Sequence, residues 1–433
     1  MMKMKKVISW LLCSALSISL LTGCGASNKA TEGNSVQNDK TNATKELESE
    51  EVKETAEPVE VKIWHDGDES ITAIIETELN QTLSEDNITV SFEKKSGLTD
   101  QLKLYGNDEK NGPDMYFYAH DSLGTFVEMG IVAPLKDVMD TGVPKDLLPM
   151  TVDAGAYKGE QYLLPIYFET LLFLYNKDLW EGEVPSTTED LYTYMTTHTD
   201  AAAGTYAVVN QHSTAYNVAP FINGFGGFII NEEGQPGLNN QATKDAIIYN
   251  QKFAALQADG DYNTVNTLFN EGKAQAIIGG PWLISGIKEA GINLGIKSLS
   301  DFTLPNGNAL APYSGVQCVG VMKHAVPAKK DALAKVLEAI VGETVGVQLA
   351  KESNCAPANA MAYVNSDVAS NEMIVAIKDT AETAKPMPNI PQMSVMWQPS
   401  ESLLAAINKS GSDINTSADQ YQKEAEKSIS DMQ

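Results

Sequence analysis

The sequence predicts an α/β protein whose strands alternate with helices, and three observations carry that expectation. Val59, Val61 and Ile63 alternate with polar residues, as in a half-buried strand. Ile71, Ile74, Ile75, Leu79 and Leu83 then recur at helical spacing, and Ile88, Val90 and Phe92 alternate again. Strands alternating with helices imply a parallel sheet. At 433 residues and 43% hydrophobic content, the chain has material for about two to three domains.

In chain order, the spacing predicts a strand over Val59–Trp64, a helix over 71–85 and a strand around Ile88–Phe92. Met115–Tyr118 follows as a short apolar strand introduced by the turn Asn111-Gly112-Pro113-Asp114. Tyr162–Pro165 and Ala274–Ile278 read as strands, Lys244–Leu256 and Lys330–Val341 as helices. Nothing repeats at a fixed period. In open α/β sheets, ligands sit outside the carboxyl ends of the strands. That rule selects His65-Asp66-Gly67-Asp68-Glu69-Ser70 after the first strand and Tyr118-Ala119-His120-Asp121-Ser122 after the third. Both loops are rich in hydroxyl acceptors.

Charge excludes whole classes of partner. Lys plus Arg total 31 against 57 Asp plus Glu, a net charge of −26, and all the basic residues are lysines. An acidic chain without a segregated basic face does not track nucleic acid. Without arginine, bidentate phosphate clamps and guanine readout are also excluded.

The amino terminus has its own signature. Lys3, Lys5 and Lys6 precede a mostly apolar stretch, Val7–Leu21, too short to favour a spanning helix. It ends in Leu21-Thr22-Gly23-Cys24, which resembles the lipobox of bacterial lipoproteins. The resemblance implies a signal peptide over 1–23, cleavage before Cys24 and lipidation of that thiol, so the protein is anchored to a membrane surface. Residues 24–57 have almost no large apolar side chains and are expected to form a disordered tether. Of four cysteines, Cys318 and Cys355 remain for the folded part. A disulfide between them is permitted outside the cell, and its geometry is not readable from sequence.

Catalytic and metal motifs are absent. Asp66-Gly67-Asp68 and Asp259-Gly260-Asp261 lack the glycine and glutamate of a calcium loop, so they read as solvated turn acids. There is no phosphate-binding Gly-rich loop, nucleophile elbow or zinc helix, and the five histidines show no ligand spacing. Neither a metal nor a cofactor is expected. What stands out is aromatics beside carboxylates. Trp282 lies in Gly279-Gly280-Pro281-Trp282, and Trp397 follows Pro388-Asn389-Ile390-Pro391-Gln392. A tryptophan after such a turn can present its face to a ligand, while core packing is the plainer reading for any one of them.

Five segments, taken together, resemble the maltose/maltodextrin-binding proteins of bacterial ABC importers, within the extracellular solute-binding proteins. They are IWHDGD at 63–68, GPDMYFYAHDSLG at 112–124, LPIYFETLLFLYNKDLW at 164–180, FNEGKAQAIIGGPW at 269–282 and PMPNIPQMSVMW at 386–397. The resemblance implies a periplasmic-binding-protein-like fold, two α/β lobes joined by a three-crossing hinge with a ligand cleft between them. It places the N-terminal lobe at 58–168 plus 316–370 and the C-terminal lobe at 169–315 plus 371–433. Carried over by position, it makes Asp68 and Glu69 first-loop contacts, Tyr118 an aromatic after the third strand and Asp121 its hydroxyl acceptor. Glu169 falls at the first crossing, Tyr216 in the second lobe, and Trp282 and Trp397 match stacking tryptophans. Trp64 and Trp180 are assigned to the core.

The implied function is capture of malto-oligosaccharides by a monomer on the outer face of the bacterial cytoplasmic membrane, for delivery to an ABC permease. The chain departs from the pattern at Glu69, where the family often has lysine, and at Ser122 and Glu401, where it has arginine. Thr214 and Ala215 stand where it has glutamate and proline. Binding of a different oligosaccharide is the alternative. A glycoside hydrolase using Asp121 and Glu169 as its carboxyl pair is a more distant one.

Overall fold

The computed structural model describes residues 57–432. The signal peptide, Cys24 and all but the end of the tether lie outside the described residues. Among the described residues, the strands run in the order β1 (Val59–His65), β2 (Ile88–Lys94), β3 (Met115–Ala119), β4 (Ala156–Tyr157), β5 (Glu160–Gln161), β6 (Leu163–Thr170) and β7 (Leu172–Asn176). They continue with β8 (Tyr206–Val209), β9 (Ala274–Gly279), β10 (Leu294–Ser298), β11 (Tyr313–Val321), β12 (Ala356–Pro357) and β13 (Lys385–Pro386).

Two main sheets result. The first has the order β12-β6-β11-β3-β1-β2, with β13 also pairing to β11; the second is β10-β7-β9-β8. The predicted unit at the amino end forms as expected: β1 pairs in parallel with both β2 and β3. Between β1 and β2, the helix Glu69–Thr82 buries Ile75 and Leu79 against the sheet. Burying such apolar faces on a sheet is what stabilises the layer, at about 25 cal/mol per Å² removed from water.

The expectation of a parallel sheet holds only in part. β11 runs antiparallel to β3 and to β6. The reason is the chain path. β6 leaves the first sheet and passes through Leu171 into β7 of the second, and β11 brings the chain back after β10. A strand that leaves and a strand that returns must run in opposite directions. Tyr162–Pro165 is accordingly only the start of a strand that extends to Thr170. β6 accommodates Pro165 with a bulge opposite Gln317 and Cys318, as expected for a residue with no N–H to donate.

Helices at 241–253 and 326–340 sit within a few residues of the predicted positions. The first of these gives way to a different helical turn at Ala254–Ala258, where Gln257 adopts φ 56°. A nearly all-buried helix, Ala215–Gly224, packs against the helices Gln241–Phe253 and Trp397–Asn408 and touches β11. Trp64 and Trp180 lie in the core at 2% and 7% exposure, as predicted. Cys318 and Cys355 are buried free thiols. Among the described residues, no helix is long and apolar enough to cross a membrane.

Candidate functional site

Strand direction decides where the site lies. β6 is antiparallel to β11, which is antiparallel to β3, so β1, β3 and β6 all point the same way. Their carboxyl ends deliver Asp66–Glu69, Asp121 and Glu169 to one edge. In the second sheet, β9 is antiparallel to β7 and ends at Gly279 opposite Leu172, the first residue of β7. β8 runs parallel to β9. The carboxyl ends of β8 and β9 therefore also lie at the crossing, and the segments that follow them bear Tyr216 and Trp282. The carboxyl ends of β1, β3 and β6 in one sheet and of β8 and β9 in the other thus face the same crossing.

At the end of β1, Asp68 caps the helix Glu69–Thr82. It accepts hydrogen bonds from Ser70 N and Ser70 Oγ, both at 2.8 Å. Those two donors hold its carboxyl below the usual range. Glu69 is exposed, with Lys94 Nζ at 3.8 Å. Asp66, which the resemblance did not assign, and Thr99 both neighbour the Tyr118 hydroxyl. Burial pushes both the phenol and the Asp66 carboxyl above their ordinary values. The signal for Asp66 was already available, since it lies in the first loop beyond β1.

Asp121 follows β3 in the turn His120–Ser122. Its neighbour His120 is fully buried and fastens three segments. Val316 N–H donates to His120 Nδ1 at 3.2 Å, so the ring proton is on Nε2 and is donated to Met387 O at 2.9 Å. Burial holds this imidazole below its usual pKa, which keeps it neutral. β3, β11 and the segment after β13 are thereby pinned behind Asp121.

Glu169, one residue before the end of β6, is half-buried. Burial raises its carboxyl above the ordinary value. Burial pushes the Cys355 thiol up to about 12, and the charges of Glu169 and Asp68 add to the rise. The same two carboxylates act on Tyr167, so the ends of β1, β6 and the start of β12 share one neighbourhood. Tyr313 O, at the start of β11, receives Thr170 Oγ1 at 2.9 Å and the Tyr216 hydroxyl at 3.4 Å. Tyr216 therefore reaches from the helix Ala215–Gly224 to β11, and Glu169 is near enough to raise its phenol beyond the effect of burial.

Trp282 and Trp397 differ in exposure. Trp282 sits in the turn Pro281–Leu283 and is 42% exposed. Its ring folds back over Gly280, where a Cβ would lie 2.2 Å from the indole; only glycine permits that approach. The Tyr216 and Trp282 ring centroids are 6.4 Å apart at 53°. Trp397 opens the helix Trp397–Asn408 and is half-buried against the core. Among the described residues, no group of three or more His, Cys, Asp or Glu could hold a metal ion.

This arrangement offers hydroxyl acceptors on one wall and aromatic faces on the other. A family model described as bacterial extracellular solute-binding protein matches residues 79–376. The chain belongs to that family. Relatives of this solute-binding protein include a galactooligosaccharide-binding protein of Bacillus subtilis, 28% identical over an alignment of 451 positions that covers 99% of this chain and 98% of the relative. A maltooligosaccharide ABC transporter solute-binding lipoprotein of Streptococcus pneumoniae is 28% identical over 345 residues, covering 76% and 79%. A crystal structure of a cyclo/maltodextrin-binding protein complexed with maltotetraose superposes with a TM-score of 0.79 at 22% identity, covering 87% of this chain and 99% of that one. The two-lobe binding-protein fold is thus shared. At the level of the family, these are solute-binding proteins and not enzymes.

Proposed function

We propose that the protein is a lipid-anchored receptor that captures malto-oligosaccharides, α-1,4-linked glucans, on the outer face of the bacterial cytoplasmic membrane and presents them to an ABC permease. The observation that carries this reading is the pairing of Asp66, Asp68, Asp121 and Glu169 at the strand ends of one sheet with Tyr216 and Trp282 beyond the other, and with Trp397 on the helix packed against that of Tyr216. A pyranose has an apolar C–H face and a rim of hydroxyls. Aromatic rings cover the first, replacing water with dispersion contacts. Carboxylates accept from the second, and such charge-assisted bonds are the stronger kind. Repeated aromatic steps suit a repeated sugar.

In this reading Tyr118 and Glu69 complete the first wall, and Cys24 carries the anchor. The lobes comprise 58–168 with 316–370, and 169–315 with 371–433, and the protein acts as a monomer. A ligand touching both lobes favours the closed arrangement, because only differential affinity shifts a conformational equilibrium. The closed form then docks on the permease.

A galacto-oligosaccharide is the second reading, favoured by the relative whose alignment spans 99% of this chain and by the absence of arginine from the site. Calorimetry across maltose, maltotriose, maltoheptaose, a cyclodextrin and galacto-oligosaccharides decides between them. Heat with α-1,4-glucans longer than a disaccharide is the expected result. Heat with the galactosides alone transfers the assignment to them, and silence with all of them overturns the sugar reading.

A further inference from the structure

The helix Ala215–Gly224 begins without local help. Its N-cap, Thr214, makes no side-chain hydrogen bond to the first turn, and that turn holds no acidic residue. Helix starts leave backbone N–H groups without partners inside the helix, and Ala215 is fully buried. An acceptor is supplied from 186 residues along the chain: Ala215 N–H donates to Glu401 Oε1 at 3.4 Å. Glu401 lies one turn beyond Trp397 in the helix Trp397–Asn408. The residue after Ala215 is Tyr216, whose hydroxyl reaches Tyr313 O and whose ring neighbours Trp282.

We propose that Glu401 is a positioning residue of the binding site, serving as a remote cap for the helix that carries Tyr216 and locking it to the helix that carries Trp397. This rests on the reading of Tyr216 and Trp397 as ligand contacts. The chemistry is direct. A carboxylate at a helix N-terminus both accepts an otherwise unpartnered N–H and meets the positive end of the helix dipole. Because the cap comes from the second helix and not from Thr214, the same bond that starts one helix fixes its distance from the other. Two aromatic side chains, far apart in sequence, are thereby set relative to each other before a ligand arrives. A preset pair of rings spares a ligand the ordering of that wall on binding.

The test compares the full chain with Glu401→Ala and with the double variant Glu401→Ala/Thr214→Asp, in which an aspartate at the local N-cap takes over the capping. Without ligand, hydrogen exchange over 214–218 is expected to speed up in Glu401→Ala and to return toward wild type in the double variant. Near-ultraviolet circular dichroism, which reads the tryptophan and tyrosine environments, is expected to change in Glu401→Ala. Affinity for maltoheptaose is expected to fall about fivefold or more in Glu401→Ala. A local cap restores the helix start but not the tie to the second helix. The double variant should therefore recover exchange protection while affinity and the near-ultraviolet signal stay impaired.

Unchanged exchange in Glu401→Ala overturns the cap. Full recovery of affinity and the near-ultraviolet signal in the double variant overturns the lock between helices. Wild-type affinity in Glu401→Ala overturns the positioning role. Should the wild type bind no sugar in the panel above, the ligand reading fails by itself, and exchange with the near-ultraviolet signal still decides the cap and the lock.

Discussion

The two walls of the candidate site are built by different means. On the first lobe, the polar groups sit directly at strand ends and are held by neighbours close in the sheet. Asp68 is fixed by Ser70, two residues away, and Tyr118 lies beside Asp66 and Thr99. On the second lobe, the aromatics sit beyond the strands, on turns and helix starts, and their contacts are long-range: Tyr216 to Tyr313, and Ala215 to Glu401. The first wall is therefore made rigid by the sheet, whereas the second depends on how separate helices pack. Asp68 keeps its partner within its own turn, whereas Tyr216 and Ala215 meet theirs across 97 and 186 residues of chain.

That contrast can be tested where it should be largest. Trp282→Ala and Trp397→Ala are each expected to weaken sugar binding at least tenfold, about 1.4 kcal/mol, in calorimetry, with little change in melting temperature for the exposed Trp282. A loss smaller than tenfold at both would put the binding energy on the polar wall instead. Tyr118→Phe is the matching test on the first lobe. It removes the hydroxyl beside Asp66 and Thr99 and keeps the ring, so a smaller loss of about threefold to tenfold is expected. A loss equal to that of the tryptophans would erase the distinction between the walls.

A third test separates function from stability. Burial raises the Glu169 carboxyl in the folded protein. As pH climbs past the ordinary carboxylate value, the unfolded chain releases this proton while the folded chain retains it, so stability falls until the folded pKa is passed. Asp68 has the opposite sign: its depressed carboxyl adds stability above its ordinary value, and this is lost as pH falls through the folded one. Glu169→Gln is therefore expected to raise the melting temperature at pH 7, to lose that advantage near pH 4, and to weaken sugar binding throughout. An unchanged melting temperature at pH 7 would mean that the carboxylate is well solvated in the free protein. The smallest effect is expected at the thiols. Burial raises the Cys318 thiol and holds Cys355 at about 12, so a thiol reagent at neutral pH should not label the native protein, and a reductant should leave its melting temperature unchanged.

Much of the first wall was legible because its signals are local. Alternation located β1, β2 and β3, and the rule that ligands lie past strand ends selected the loops with Asp68 and Asp121 before any family was considered. Asp66 was in the selected loop and yet unassigned, since nothing in the residue order says which of three neighbouring acids meets Tyr118. The second wall was legible only through its resemblance to relatives. Trp282 and Trp397 follow Gly- or Pro-bearing turns, unlike Trp64 and Trp180, yet such a turn is also compatible with core packing, and burial separates the four only after folding. His120 was likewise visible as a loop residue, but its role as a buried clasp among β3, β11 and Met387 requires three segments to converge.

By itself, the sequence determined the strand–helix alternation, the acidic and arginine-free chemistry, and the choice of acceptors and aromatics over catalytic or metal motifs. These follow from residue identity and short-range periodicity. Only the tertiary structure decided that β11 returns antiparallel, that the carboxyl ends of both sheets meet at the crossing, and that Glu401 caps a helix 186 residues away. The physical reason is that strand direction across a crossing, and the filling of a helix's open N–H groups, depend on which segments become neighbours in space. Residue order constrains those neighbours without naming them.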